Sequence, residues 1–549
     1  MQDKLNYNAI IIGGGATGAG IARDLSLRGL KVIVFEKKDI AEGTTGRCHG
    51  LLHSGARYVK SDPVAAKECS KENKILKNIA PHIIDPCNGY FVGFEGDDPD
   101  YIEHFPQYCL ESGVECEEIS LSTFKTLEPE CSDEIIKVYK VSDAYIDPFL
   151  LTYYNILDAE KHGAEIHPYT KVIDIVRDKQ RIIGVKTKNM QNGEVQNYYG
   201  EIIVNATGPW ANEIEEKLHV SEPLQLIPMM GTLIIYDKRL VNSVINRLAY
   251  PKDGDIIVPS HQSIIVGTTS IQVKSNDIDS VSPTDSEIQQ LKDAGAKLIP
   301  KLEKSRMLRY YSGVRPLVKL NQTKKKERER ELSNISRKYV IVDYEEQGFP
   351  GLITVFGGKM TTYRLMAEEI SNLVCSKLGN TSKCITHEKI LPGGKNSYSK
   401  IELKTLLETD DKNAFDISLK WGSFIEEMTE ICQECLNGKW KIINDRIICK
   451  CESVSESEIR WVKENLHVSR IDDYRRRTRQ GMGRCQGQFC LFKIADIETQ
   501  LTTKSHAQII EELKEALFKR WKTEQWSDQN MKRQIKLSKF MYLFGGGLN

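Results

Sequence analysis

The sequence predicts an α/β chain, α+β overall, in which a doubly wound domain is interrupted by a mixed-sheet domain and followed by a small helical module. Three observations carry this. Strand-like runs alternate with amphipathic helices from Asn6 to Leu378. A G-x-G-x-x-G spacing at Gly13, Gly15 and Gly18 separates an apolar run from a helix. Far from it, Cys449 and Cys451 form C-x-C, and Cys485 and Cys490 form C-x4-C. At 549 residues the chain has room for two or three domains with full cores.

The first elements are the most specific. Tyr7 to Ile12 reads as a buried strand, the three glycines open a helix bearing Ala22, Gly29 ends it, and Lys31 to Phe35 is a second strand with Glu36 at its end. Gly13 permits the tight turn, Gly15 lets the backbone approach a pyrophosphate, and Gly18 and Ala22 let the helix lie close to the sheet. The helix N-terminus faces the phosphates, and Glu36 is placed to accept hydrogen bonds from a ribose. The motif alone leaves FAD and NAD open.

Later elements follow from local signals. Asp62 and Pro63 cap and start a helix running towards Ala80; Pro148–His162 and Thr284–Leu298 are further helices, the second opened by a capping box of Thr284 and Glu287. Strands are expected at Ile202–Asn205, Thr232–Tyr236, Asp255–Val258, Ile264–Thr268, Tyr339–Asp343 and Leu352–Phe356. Lys324–Glu331 is a charged run that reads as a solvated loop, and Gly393 to Lys400 reads as a linker. A helix is expected from His506 to Trp521. The division is 1–390 for the nucleotide-binding domain with its inserted substrate regions, 391–440 for a helical linker, 441–500 for the cysteine module, and 501–549 for a terminal helix and tail.

Two more glycine turns, Val204–Trp210 with Gly208 and Thr354–Lys359 with Gly357 and Gly358, follow strands hundreds of residues downstream. Contacts from both ends of a domain suit an extended cofactor, which points to FAD. Lys plus Arg equals Asp plus Glu at 76 each, so no net field recruits nucleic acid or an anionic membrane. No apolar stretch is long enough to span a bilayer, and Met1 to Asn8 is no signal peptide, so a soluble intracellular protein with reduced thiols is expected.

Three segments carry cations beside small residues: His49–Tyr58, Tyr311–Leu317 and Phe356–Arg364. Arg57, Arg315 and Lys359 could meet at one phosphate dianion. With the fingerprint, these segments resemble the FAD-dependent glycerol-3-phosphate dehydrogenases, a neighbour of the glycine oxidases. The resemblance implies a Rossmann-like FAD-binding domain interrupted by a mixed-sheet substrate domain. It implies cofactor contacts at Gly13, Gly15, Ala16, Gly18, Glu36, Lys37, Thr44, Thr45, Gly46, Gly208, Gly357, Gly358, Lys359 and Met360. Substrate contacts are implied at Arg57, Tyr58, Arg315, Arg337 and Lys359, and catalytic work at His53, Arg315 and Lys359. His53 is the candidate base because histidine titrates near neutral pH; a flavin-contacting or structural histidine is the alternative.

Cys449, Cys451, Cys485 and Cys490 suit tetrahedral zinc or a 2Fe–2S cluster. The segment Arg475–Gly487 resembles the bacterioferritin-associated-ferredoxin-like module, which implies 2Fe–2S in a small helical iron-sulfur domain, with the arginines offsetting the cluster's charge. Nucleic-acid binding by those arginines is disfavoured, since no aromatic platform accompanies them. Cys432 and Cys435 form a C-x2-C pair outside that pattern and read as buried core or inert surface thiols or, alternatively, as a second metal or redox site. The order of modules resembles the large catalytic subunits of anaerobic glycerol-3-phosphate dehydrogenases. That resemblance implies oxidation of sn-glycerol 3-phosphate to dihydroxyacetone phosphate, with hydride to FAD and electrons onward through the cluster. It also implies two partners, one a second soluble subunit, the other a membrane-anchoring iron-sulfur subunit, and delivery to the menaquinone pool at the inner face of the cytoplasmic membrane. The rival readings are an FAD dehydrogenase of a small hydroxy or amino acid, an NAD dehydrogenase, and an iron-sulfur redox-sensing or docking protein with a non-catalytic flavin domain.

Overall fold

The computed structural model describes residues 6–219, 226–251, 253–318, 339–431, 445–522 and 529–541. The chain opens with β1 (Tyr7–Ile12), α1 (Ala16–Leu27) and β2 (Val32–Phe35). β1 runs parallel to β2 on one side and to the second half of the strand Val195–Asn205 on the other. Covered on both faces, its Ala9, Ile10 and Ile11 are fully buried, which is why the run is apolar without alternation. α1 can lie against this sheet because a Cβ at Gly18 would stand 1.9 Å from the Gly13 carbonyl oxygen. Its outer side meets the helix Tyr363–Leu378, where a Cβ at Gly20 would come within 3.1 Å of Tyr363 and Ala367.

Around β1 the strand order is Thr170–Asp178, Arg181–Asn189, Val195–Asn205, β1, β2, Glu165–His167, with Leu352–Phe356 pairing on Val195–Asn205 and Val340–Asp343 beyond it. Val195–Asn205 is longer than the expected Ile202–Asn205. Its first half, Val195 to Tyr199, pairs antiparallel with Arg181–Asn189, and its second half joins the parallel layer. The first half is exposed and polar, so hydropathy shows only the buried end. Leu226–Tyr236 likewise exceeds Thr232–Tyr236, because its whole length is matched by Met307–Val318. The latter belongs, with Leu226–Tyr236, to a nine-stranded mixed sheet that also holds Gly89–Phe94 and Ile256–Ser260. Val244–Arg247 is parallel to Gly89–Phe94, and the other pairings in this sheet are antiparallel. This is the inserted sheet.

Helix starts follow their caps. Asp62 accepts from the Ala65 amide at 3.1 Å ahead of the helix Pro63–Ile79. Thr284 and Glu287 form the capping box of Asp285–Leu298. The helix His506–Trp521 has the expected bounds. Gly393 is packed, since a Cβ there would lie 2.8 Å from the Phe424 ring. Leu391, Leu403, Trp421 and Phe424 share one buried cluster with α1 and with Trp461 and Ile494 of the cysteine module. The charged run Lys324–Glu331, and Cys432 with Cys435, lie outside the described residues.

The arginine run has another use than the one expected. Arg476 and Arg477 both bind Asp39, just after β2, and all three side chains are buried. Arg476 also donates to Asp473 at 2.6 Å, and Arg475 to Asp472 at 2.8 Å. Arg479 donates to Glu452 at 3.0 Å. Arg476 and Arg477 therefore fasten the module to the nucleotide-binding domain through Asp39, while Arg475 and Arg479 neutralise Asp472 and Glu452 of the module itself. A buried charge needs its partner close by, and carboxylates on both sides of the junction provide it.

Candidate active site

A cavity of about 290 Å³ runs along the C-terminal ends of β1 and β2. Among the expected cofactor residues, Gly13, Gly15, Ala16, Glu36, Lys37, Thr44, Thr45, Gly208, Gly357, Gly358, Lys359 and Met360 line it. Gly18 and Gly46 do not. Gly18 serves the packing of α1, and a Cβ at Gly46 would collide with the Ala41 carbonyl at 2.3 Å and the Phe149 ring at 2.4 Å. Both are small for packing, a demand that sequence spacing does not separate from ligand contact.

One end is built around Glu36. Its Oε2 accepts from the Gly14 amide at 2.8 Å and its Oε1 from the Lys38 amide at 2.9 Å. Burial pushes this carboxyl up from its usual range, although the two amide bonds and Lys37 act the other way. Burial likewise pushes the Lys37 ammonium down. Gly13, at φ +114°, makes the turn that only glycine makes easily; a Cβ there would stand 2.5 Å from the Ala206 carbonyl oxygen. The first turn of α1 lines the cavity through Gly15, Ala16 and Thr17, and the Ala16 amide donates to Thr45 Oγ1 at 3.1 Å. Gly358, at φ +90°, brings the distant turn to the same space, and a Cβ there would overlap Met366 Sδ at 2.3 Å.

The same cavity is also lined by His53, Tyr58, Arg315 and Lys359. Lys359 Nζ stands over the Tyr58 ring, 4.8 Å from its centroid, and the His53 and Tyr58 rings are 5.3 Å apart. His53 is 9% exposed, and its amide donates to Thr361 Oγ1 at 3.1 Å, which ties it to the segment carrying Lys359. Arg315 projects from the strand Met307–Val318 and donates to the carbonyls of Thr269 and Met230, which orients its guanidinium. Four polar side chains from three distant segments thus line one cavity. Such convergence is the arrangement that can hold and align a small anionic alcohol.

Arg57 departs from its expected place. It does not line the cavity. Its Nη2 donates to Asp255 at 2.7 Å in a pair only 7% and 5% exposed, so its charge is already answered inside the inserted sheet. Burial would push this guanidinium down, but Asp255 outweighs it and holds its pKa up. Arg337 lies outside the described residues. Arg47, His49 and Trp210 line the cavity without standing out in the sequence. Their signal is position: Arg47 and His49 lead into the segment that bears His53, and Trp210 ends the glycine turn of Gly208.

The four cysteines come from the strand Ile447–Cys449, the turn after it, the loop at Cys485, and the first position of the helix Cys490–Leu501. Their thiols adjoin in a line, Cys449 to Cys490, Cys490 to Cys485, and Cys485 to Cys451. The thiol neighbours push Cys485 down and Cys490 up. Gln480 Nε2 donates to Cys490 Sγ at 2.8 Å, and Gly483 is small because a Cβ there would stand 2.4 Å from Cys451 Cβ. Among the described residues, as placed, no group of three or more His, Cys, Asp or Glu is arranged to hold a metal ion.

A fold with this strand-turn-helix start, an inserted mixed sheet and one long cavity defines a flavin-dependent oxidoreductase. A family model described as FAD dependent oxidoreductase matches residues 8–364, and the chain belongs to that family, within it to the branch of anaerobic glycerol-3-phosphate dehydrogenase A subunits. It is 39% identical over 545 residues to the A subunit of the anaerobic glycerol-3-phosphate dehydrogenase of Escherichia coli (strain K12), covering 98% of this chain and 97% of that one. To the A1 subunit of the Haloferax volcanii enzyme it is 33% identical over 548 residues, covering 97% and 90%. Among solved structures, the glycerol-3-phosphate dehydrogenase from Bacillus halodurans, complexed with FAD, matches the fold with a TM-score of 0.65 at 21% identity, over 99% of this chain and 96% of that one. The cavity suits FAD on its own chemistry: glycine backbone at Gly13 and Gly15 forms part of its wall, the Glu36 carboxylate lines it, and so do Gly357, Gly358 and Lys359 from far along the chain.

Proposed function

We propose that this protein oxidises sn-glycerol 3-phosphate to dihydroxyacetone phosphate, with FAD in the long cavity as the first acceptor. The observation that carries the reading is the convergence of His53, Tyr58, Arg315 and Lys359 on the cavity that the glycine turn and Glu36 also line. Bound FAD would supply the hydride acceptor for the substrate's secondary carbon. The side chains do the rest. Arg315 and Lys359 hold the phosphate, Arg315 through a planar pair of donors and Lys359 as a point charge. That binding energy is remote from the reacting carbon and fixes its orientation. His53 takes the hydroxyl proton on a ring nitrogen as the carbon-bound hydrogen leaves with its electron pair. A carboxylate substrate, the main rival, would need fewer cations than these and would leave Lys359 less well matched.

We further propose that Cys449, Cys451, Cys485 and Cys490 hold a 2Fe–2S cluster, which would accept electrons one at a time. The adjoining line of thiols supports this, as does the glycine-relieved space at Gly483. The relatives are themselves named as lettered subunits of an enzyme, which supports an assembly with further chains. For these we propose a second soluble subunit, together with a membrane-anchoring iron-sulfur subunit that passes electrons to quinone. No helix among the described residues is long and apolar enough to cross a membrane, so attachment to the cytoplasmic membrane would run through those partners. The exposed Leu537, Phe540 and Met541 near the end of the described chain, at 56%, 64% and 49%, fit a docking contact.

The test is the visible spectrum of anaerobically purified protein before and after addition of glycerol 3-phosphate. The flavin band should bleach with this substrate and stay unchanged with lactate or glycine. Bleaching by a hydroxy or amino acid and not by glycerol 3-phosphate would select the rival enzyme.

A further inference from the structure

We infer that Asp279, on the inserted domain, is a latch that retains FAD at the adenine end of the cavity. This rests on the FAD reading above and adds a residue that lies outside the cavity wall. The short segment Ser275–Ser280 crosses from the inserted domain to the mouth of the cavity and is anchored by Ile278, 3% exposed. From it the Asp279 carboxylate reaches three groups of the nucleotide-binding domain. Lys37 Nζ is 3.3 Å from one oxygen and Lys38 Nζ 3.2 Å from the other. Trp210 Nε1 donates to the same carboxylate at 3.2 Å. Lys37 Nζ also stands over the Trp210 ring, 3.9 Å from its centroid.

Lys37, Lys38 and Trp210 all line the cavity, next to Glu36. One carboxylate therefore fixes the positions of three wall residues drawn from two separate turns. The Trp210 ring lies beside Gly43, where a Cβ would stand 3.4 Å from the ring. A single exposed ion pair is weak, and Asp279 is half exposed. Here one anion serves two ammoniums and an indole N–H, while the cation–π contact joins two of its partners, so ordering one group orders the others. The lysines hold the anion directly: the Asp279 carboxyl is kept below its usual range by Lys37 and Lys38 even though burial pushes it up. Opening the latch would free Lys37 and Trp210 together and uncover the cavity wall next to Glu36.

The experiment follows free flavin fluorescence after dilution of the FAD-loaded, full-length protein. Asp279→Ala should release FAD about 5- to 20-fold faster than the wild type at low ionic strength. Raising the salt from about 0.02 to 0.5 M should speed wild-type release towards the variant's rate and leave the variant nearly unchanged. Asp279→Asn, which keeps an acceptor for Trp210 but loses the charge, should fall between the two. Release from Asp279→Ala within twofold of wild type, or an equal salt response in both, would overturn the latch. Wild-type protein carrying no flavin after purification would instead overturn the FAD reading, and a wild-type flavin spectrum separates the two failures.

Discussion

Arg477 Nη2 donates to Asp39 Oδ1 at 2.8 Å, with both side chains wholly buried and the two residues 438 positions apart in the chain. The pair joins the cysteine module to the loop that leaves β2, and Arg476 closes on the same carboxylate. The guanidinium also lies 4.1 Å from the Tyr153 ring centroid, which packs it against the helix Pro148–Lys161. Asp39→Ala should cost about 3–5 kcal/mol of stability, since two buried cations would lose their shared partner. Thermal or urea unfolding checks this. Burial alone would raise the Asp39 carboxyl, but Arg476 and Arg477 hold it below its usual value. A lowered native pKa means stabilisation present above pH ~4 and lost as the pH falls through the native value. Asp473, pushed up to about 6 by burial and by Asp39, contributes oppositely: its share is present below pH ~4 and fades as the pH rises through about 6. Asp39→Asn should therefore flatten the acid limb of the stability profile.

Arg315→Ala should lower kcat/KM by the equivalent of about 2–5 kcal/mol while FAD stays bound, because a desolvated anion would lose a charge-assisted partner. Arg315→Lys should recover part of that loss. Steady-state kinetics within threefold of wild type would remove Arg315 from the phosphate site.

His53→Gln should slow flavin reduction by about 10²–10⁴-fold in single-turnover measurements and leave the flavin spectrum intact. The signature is in the pH profile: the rise in rate as a base deprotonates should vanish in the variant. A retained rise with an unchanged rate would make His53 a flavin-contacting or structural residue.

Cys485→Ser should lose iron and keep substrate-driven bleaching of the flavin, since the cavity is lined by residues up to Tyr363 and none from the cysteine module. Iron analysis with stopped-flow absorbance checks both halves. Zinc in place of iron in protein prepared without oxygen would remove the electron-relay role.

Membrane attachment should depend on partners. In cells that also produce the proposed partner subunits the protein should sediment with membranes, and expressed alone it should stay in the supernatant. Equal sedimentation in both would mean that this chain attaches by itself.

The sequence by itself determined the local chemistry. The apolar run, turn and helix from Tyr7 to Leu27, the caps at Asp62 and Thr284, and the cavity glycines at 13, 357 and 358 are set by interactions between near neighbours or by backbone demands that one residue type meets. His53, Tyr58, Arg315 and Lys359 were also legible, because each stands in a segment whose small residues mark a close approach. Tertiary structure decided how charges are shared. Nothing in the neighbourhood of Arg57 indicated that Asp255, 198 residues away, would claim it. Nor did the run from Arg475 to Arg479 reveal that its partners would be Asp39 and Glu452. A motif states that a cation is present. Whether that cation faces a ligand, a cluster or a buried carboxylate depends on which distant surfaces the fold brings within about 3 Å, since only at that range does a hydrogen-bonded pair compensate for lost water.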